Sequence, residues 1–176
     1  MKVLGVSGLP GSGKSLVSTL ATKKGAIIVG MGDIIREESA KRNETPNETA
    51  TNLRKEFGQY IVAELTIDKI KKLNNKDFVI VEGIRSPYEV KLFKENFNGF
   101  KIISIFANRQ IRFERLQNRN RDDDSQNYED FLKRDKRELD FGIGNVITES
   151  DKIIINETNL DSYEKEVNDF LDSLIS

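Results

Sequence analysis

Eight residues near the N-terminus, Gly8-Leu9-Pro10-Gly11-Ser12-Gly13-Lys14-Ser15, constrain this chain more than any other stretch. They fill the pattern G-x-x-x-x-G-K-[ST], a loop whose backbone cradles phosphate. The motif is meaningful only between a strand and a helix, and the flanks fit. Val3-Leu4-Gly5-Val6 reads as a buried strand, and Leu16 to Ala21 reads as the start of a helix. The glycines let the backbone turn tightly and bring N–H groups close to phosphate oxygens. The helix opening at Lys14 adds free N–H groups and the positive end of its dipole. Lys14 can reach the β and γ phosphates, and the Ser15 hydroxyl can ligate Mg²⁺.

The remaining apolar runs set the fold class. Residues 2–7, 26–29, 78–81, 101–106 and 152–155 are nearly continuously apolar, as strands buried on both faces of a parallel sheet are. Helical patterns fall near 14–23, 33–43, 46–72, 87–96, 109–120, 127–140 and 160–175. This alternation predicts a three-layer α/β fold: a five-stranded parallel sheet with helices on both faces and right-handed crossovers. A length of 176 residues suits one domain. Ligands in such a sheet bind beyond the carboxyl ends of the strands, so strand-end residues become the candidates.

Composition narrows the chemistry. The chain holds no cysteine and no histidine, so thiolate nucleophiles, disulfides and a histidine base are excluded. Phosphoryl transfer tolerates that limit, because positioning and charge neutralisation carry most of its catalysis. A net charge of −1 argues against non-specific nucleic-acid binding. No apolar run reaches the length of a membrane span, and a cytoplasmic location is expected.

Three further segments gather at strand ends. Gly30-Met31-Gly32-Asp33-Ile34-Ile35-Arg36 follows the second strand. There Asp33 reads either as a helix cap or, with Gly32 and Arg36, as part of an anion site. The third strand closes Val81-Glu82-Gly83-Ile84-Arg85: an acid placed for Mg²⁺ and its waters, a glycine permitting close approach, and a planar fork for phosphate. Thr45-Pro46-Asn47-Glu48 and Ser86-Pro87-Tyr88-Glu89 are capping boxes, the second aiming Arg85. Arg54 lies beside the apolar face of its helix and is a candidate for the acceptor site. Residues 109–137 hold seven of the eleven arginines. Arg112, Arg115 and Arg119 form one stripe, Arg121 to Ser125 a turn, and Arg134 and Arg137 a second basic helix. The preferred reading is a lid of about 112–141 that closes on the transferring phosphate, with a solvated, salt-bridged hairpin as the alternative.

Together these segments resemble the nucleoside monophosphate kinases, and most closely the small archaeal adenylate-kinase-related proteins, also called dephospho-CoA-kinase-like. The likeness extends to Gly142-Ile143-Gly144 and to the closing strand Ile153-Ile154-Ile155-Asn156. It implies ATP and Mg²⁺ at Gly8, Pro10, Gly11, Ser12, Gly13, Lys14, Ser15 and Leu16, with Glu82 beside the metal and Asn156 near the donor. It implies that Arg115 covers the donor base, and that Lys14, Asp33, Arg119, Arg134 and Arg137 act in the transfer. An acceptor nucleotide would meet Gly32, Arg36, Arg54, Gly83 and Arg85, within an acceptor-binding insertion of about 32–75. Ile84 and Met31 stand where adenylate kinases carry proline and threonine, and the short lid cannot hold zinc. AMP, another nucleotide or dephospho-CoA therefore remain open as acceptors. A kinase of a non-nucleotide metabolite, or a slow NTPase acting on a protein or RNA partner, are the alternatives. Nucleotide substrates, no membrane or nucleic-acid partner, and a monomer or dimer are expected.

Overall fold

The computed structural model describes residues 1–73, 77–119 and 127–175. Five strands, β1 (Lys2–Ser7), β2 (Ile27–Gly30), β3 (Phe78–Ile84), β4 (Lys101–Phe106) and β5 (Lys152–Ile155), pair in parallel in the order β2-β3-β1-β4-β5. This is the expected five-stranded parallel sheet. The helices among the described residues are α1 (Ser15–Lys23), α2 (Met31–Arg42), α3 (Pro46–Phe57), α4 (Ile61–Lys71), α5 (Pro87–Asn96), α6 (Arg109–Arg119), α7 (Tyr128–Asp140), α8 (Ile143–Thr148) and α9 (Leu160–Ile175).

The continuous hydrophobicity of the strands now has its cause, because alternate side chains enter two separate cores. Val3, Val79, Val81 and Ile102 pack with α2, α3, α4, α5 and α8 on one face of the sheet. Leu4, Val6, Ile80, Ile103, Ile105 and Ile154 pack with α1 and α9 on the other. Gly5, in the middle strand, is fixed by packing: a Cβ there would lie 2.5 Å from Ile84 Cδ1 and 2.8 Å from Phe100 Cζ.

Both capping boxes form as read, with Thr45 and Glu48 opening α3 and Ser86 and Glu89 opening α5. Three local expectations change. The helix expected over 46–72 breaks at Gly58, whose φ of +94° only glycine adopts cheaply. α2 begins at Met31, so Asp33 sits in its first turn and is not the cap, which is Gly30. A short helix, α8, occupies Ile143–Thr148 where none was expected. The turn expected at 121–125 lies outside the described residues. Among the described residues no helix is long and apolar enough to cross a membrane.

Candidate functional site

The sheet order places β1 between β3 and β4, so the loop after β1 emerges at the centre of the carboxyl edge, beside the end of β3. The loop is shaped from behind. Arg112 Nη1 donates to the Pro10 carbonyl at 3.1 Å, Asn156 Nδ2 to that of Ser12 at 2.8 Å, and Tyr163 Oη to that of Gly13 at 2.9 Å. Arg115 also donates to Ser12 O at 3.4 Å and to Asn156 O at 2.9 Å. With the carbonyls of Pro10, Ser12 and Gly13 tied to groups behind the loop, and the Ser12 N–H given to the Leu9 carbonyl at 3.1 Å, the other loop N–H groups are left for the cleft. Burial pushes the Tyr163 phenol up, so it stays protonated and remains a donor. Gly11 and Gly13 have φ of +81° and +95°, and a Cβ on Gly13 would fall 2.2 Å from Asn156 Nδ2. The glycines of the motif thus serve both backbone conformation and close packing.

A cleft of about 320 Å³ lies in front of the loop. It brings together Gly8, Pro10, Gly11, Gly13, Lys14 and Ser15 from the loop, and Gly32, Asp33 and Arg36 from α2. Glu82, Gly83 and Arg85 from β3 complete one wall, and Arg115, Arg119, Arg134 and Glu138 from α6 and α7 the other. Burial, reinforced by the neighbouring Arg85 charge, brings the Lys14 ammonium down to about 8, against the opposing pull of Glu82 and Glu138. Arg36 is ion-paired with Asp33 on the same helix. Arg85 donates from Nε to Glu138 Oε2 at 2.7 Å and from Nη1 to Gly83 O at 3.0 Å. Burial works against the Arg85 charge, but Glu138, Glu89 and Glu82 outweigh it and hold its pKa above the ordinary value.

A second cavity, of about 1020 Å³, adjoins this cleft and shares Gly32, Arg36, Arg85, Arg134 and Glu138 with it. Its remaining wall includes Asn47, Arg54, Lys133, Arg137 and Phe141. The sequence-read arginines therefore divide. Arg36, Arg85 and Arg134 stand between the two spaces, Arg115 and Arg119 on the first only, and Arg54 and Arg137 on the second only.

Several expected residues serve indirectly. Ser12 and Leu16 do not line the cleft; Ser12 is buried, and Leu16 packs against the core under α1. Asn156 is 6% exposed and acts on the loop backbone from behind. Arg54 is held by Glu89 at 2.7 Å and lies over the Phe141 ring, 4.5 Å from its centroid. The single basic stripe is corrected: Arg112 is 3% exposed, makes a two-point pair with Asp135 at 2.5 and 2.7 Å and donates to the Ala107 and Pro10 carbonyls at 3.1 Å, so its guanidinium is committed within the protein and does not face the cleft.

Three acids hold these arginines, and of them the sequence assigns a place only to Glu89, as a capping residue. Asp135 holds Arg112. Glu89 is fully buried and joins Arg54 to the Arg85 backbone N–H at 2.7 Å. Glu138 holds the Arg85 side chain. For Glu138 a signal existed, since Arg134, Arg137 and Glu138 follow i, i+3, i+4 spacing and share a helix face.

The donor set fits a nucleotide with Mg²⁺. Ser15 and Glu82 offer hard oxygen ligands in the cleft, and no cluster of three or more metal-binding side chains occurs among the described residues. Mg²⁺ suits such a site, because it keeps several waters and takes other ligands from phosphate. The loop supplies the anion cradle.

The family described as AAA domain matches residues 7–131. A UPF0200 protein of Methanothermobacter thermautotrophicus is 48% identical over 174 residues, covering 99% of this chain and 91% of its own. The chain is an AAA-domain protein of the UPF0200 family. A UPF0200 protein of Thermococcus onnurineus is 41% identical over 179 residues, covering 97% of each chain. Two solved structures share the fold of this UPF0200 protein. TT1252 from Thermus thermophilus has a TM-score of 0.64 at 18% identity, with 98% of this chain and 97% of that one covered. Shikimate kinase from Aquifex aeolicus has a TM-score of 0.54 at 14% identity, covering 98% of both. The UPF0200 chain thus has the α/β P-loop kinase fold, a five-stranded parallel sheet with helices on both faces.

Proposed function

We propose that this UPF0200 protein transfers the γ-phosphoryl group of ATP, with Mg²⁺, to a nucleotide-type acceptor, either an AMP-like nucleoside monophosphate or dephospho-CoA. The observation that carries the reading is the pair of adjoining spaces with Lys14 in the wall of one and Arg36, Arg85 and Arg134 standing between them. A donor phosphate chain on the loop and an anionic acceptor in the larger cavity would meet at these cations.

Each residue has a task that its chemistry supports. The loop N–H groups and Lys14 bind the donor phosphates. Ser15 and Glu82 would hold Mg²⁺, directly or through its waters; the bound ion would neutralise charge on the phosphates. Arg119 and Arg134 face the donor cleft, where charge builds on the transferring group. Arg36 and Arg85 anchor the acceptor, with Arg54 and Arg137 further along the larger cavity. The nucleotides are its partners in this reading.

The test is turnover of labelled ATP with a panel of nucleoside monophosphates and dephospho-CoA, for the wild type and for Arg85→Ala. An acceptor-dependent product is expected. The variant should lose about a hundredfold in kcat/KM for the acceptor while its ATP affinity stays within about threefold. Acceptor-independent hydrolysis as the only activity, or an equal loss of ATP affinity in Arg85→Ala, would refute the two-site reading.

A further inference from the structure

We propose that Glu138 is the positioning residue of the acceptor site: by holding the Arg85 side chain, it makes the phosphate-binding orientation of Arg85 depend on the docking of α7. This rests on the reading of Arg85 as the ligand of the acceptor phosphate.

The geometry shows how Arg85 is held. Its backbone N–H is fixed by one buried carboxylate, Glu89 Oε2, at 2.7 Å, and its Nε by a second, Glu138 Oε2, at 2.7 Å. Nη1 spends one donor on Gly83 O at 3.0 Å. An arginine presents five N–H donors, so three remain on Nη1 and Nη2, and the edge between those two nitrogens can offer an anion one from each. Glu138 therefore orients the fork without occupying the edge that would grip a phosphate. A long, rotamer-rich side chain is fixed in advance, and binding no longer has to order it.

The two carboxylates differ in where they come from. Glu89 lies in the first turn of α5, immediately after β3, so it travels with Arg85 in any movement of the chain. Glu138 is 53 residues away on α7, one helical turn beyond Arg134. Its side chain is 9% exposed, and both it and Arg134 line both spaces. One helix thus carries a cation into the donor cleft and the brace for the acceptor arginine. Displacing α7 would withdraw both together. Glu138 also lies near enough to Lys14 to oppose the lowering of its pKa, which places the carboxylate at the centre of the site.

The experiment is equilibrium titration of AMP into protein saturated with AMP-PNP and Mg²⁺, so that the P-loop is filled and turnover is not required. Glu138→Ala should raise the Kd for AMP about tenfold, the scale of one hydrogen bond between charged groups, and by more than it raises the Kd for AMP-PNP. Glu138→Gln, whose amide oxygen can still accept from Nε, should recover most of the loss. In the Arg85→Ala background, Glu138→Ala should have no further effect. Three results would overturn the assignment: an equal effect with and without Arg85, failure of Gln to rescue, or tighter AMP binding in Glu138→Ala. The last would make Glu138 a competitor for Arg85 and not its brace. If the wild type binds neither AMP nor, in the same titration, dephospho-CoA, or if Arg85→Ala binds the acceptor normally, the acceptor reading of Arg85 falls and takes this inference with it. A loss in Arg85→Ala without any effect of Glu138→Ala removes this inference alone.

Discussion

Replacing Asn156 by alanine separates a residue that shapes the P-loop from one that touches nucleotide. Asn156 is 6% exposed, and its Nδ2 donates to the Ser12 carbonyl at 2.8 Å. Its Oδ1 receives only a long 3.4 Å contact from Arg115, and the backbone bond from Asn156 N to Phe106 O, at 2.7 Å, survives the substitution. The variant leaves the Ser12 carbonyl with Arg115 alone, at 3.4 Å. A buried carbonyl stripped of its good partner costs about 1–3 kcal/mol. With about 2 kcal/mol lost and a chain of this length, the melting temperature should fall by roughly 4–8 °C. The freed carbonyl can then rotate toward the cleft, where it repels phosphate. ATP affinity should fall about tenfold, comparable to the loss in stability. Thermal unfolding without nucleotide, together with fluorescence titration of an ATP analogue, reads both quantities on one sample. Loss of ATP affinity with unfolding shifted by less than about 1 °C would refute the reasoning and make Asn156 a direct nucleotide ligand.

The Lys14 ammonium titrates near pH 8, and the sign of its effect differs for folding and binding. The folded-state pKa lies below the ordinary value of 10.5, so the cost of holding the charge is fully present below pH 8. It is relieved as pH rises toward 10.5, a gain in stability that Lys14→Met should abolish in urea melts at pH 7 and 10. Nucleotide binding needs the charged form, so its affinity should drop by up to about tenfold per pH unit above 8, and a flat profile to pH 9.5 would contradict this. Arg112→Ala should destabilise the fold by about 3–5 kcal/mol in chemical denaturation, because it leaves the buried Asp135 carboxylate with only the distant Arg109, at 3.8 Å. A loss below about 1 kcal/mol would return Arg112 to the surface role that the sequence suggested.

Much of this was legible without coordinates, wherever the cause is local. Gly8 to Ser15 carry their conformation in the glycines, and Thr45 with Glu48 and Ser86 with Glu89 mark helix starts by partners three residues apart. The strands announce themselves because burial on both faces leaves few polar positions in the run, Ser104 of β4 being buried and the edge strand β5 exposing Ile153 and Ile155. Charge was the harder part. Arg112, Arg115 and Arg119 look alike in a helical stripe, yet one is locked into Asp135, one braces the P-loop, and one faces the cleft. Asp33 looked like a cap only because the helix start was placed two residues late.

The sequence by itself determined that a P-loop sits between a strand and a helix, that the sheet is parallel, and that the chemistry must run on Lys, Arg, acids and hydroxyls. The tertiary structure alone decided the strand order, and with it the placing of β1 beside β3, which sets Lys14 near Arg85. It alone paired Arg85 with Glu138 across 53 residues, and Asn156 with Ser12 across 144. The physical reason is range. Capping, turn geometry and apolar periodicity act within one or two turns of chain, whereas a charge takes its role from whichever partner the fold brings within hydrogen-bond reach.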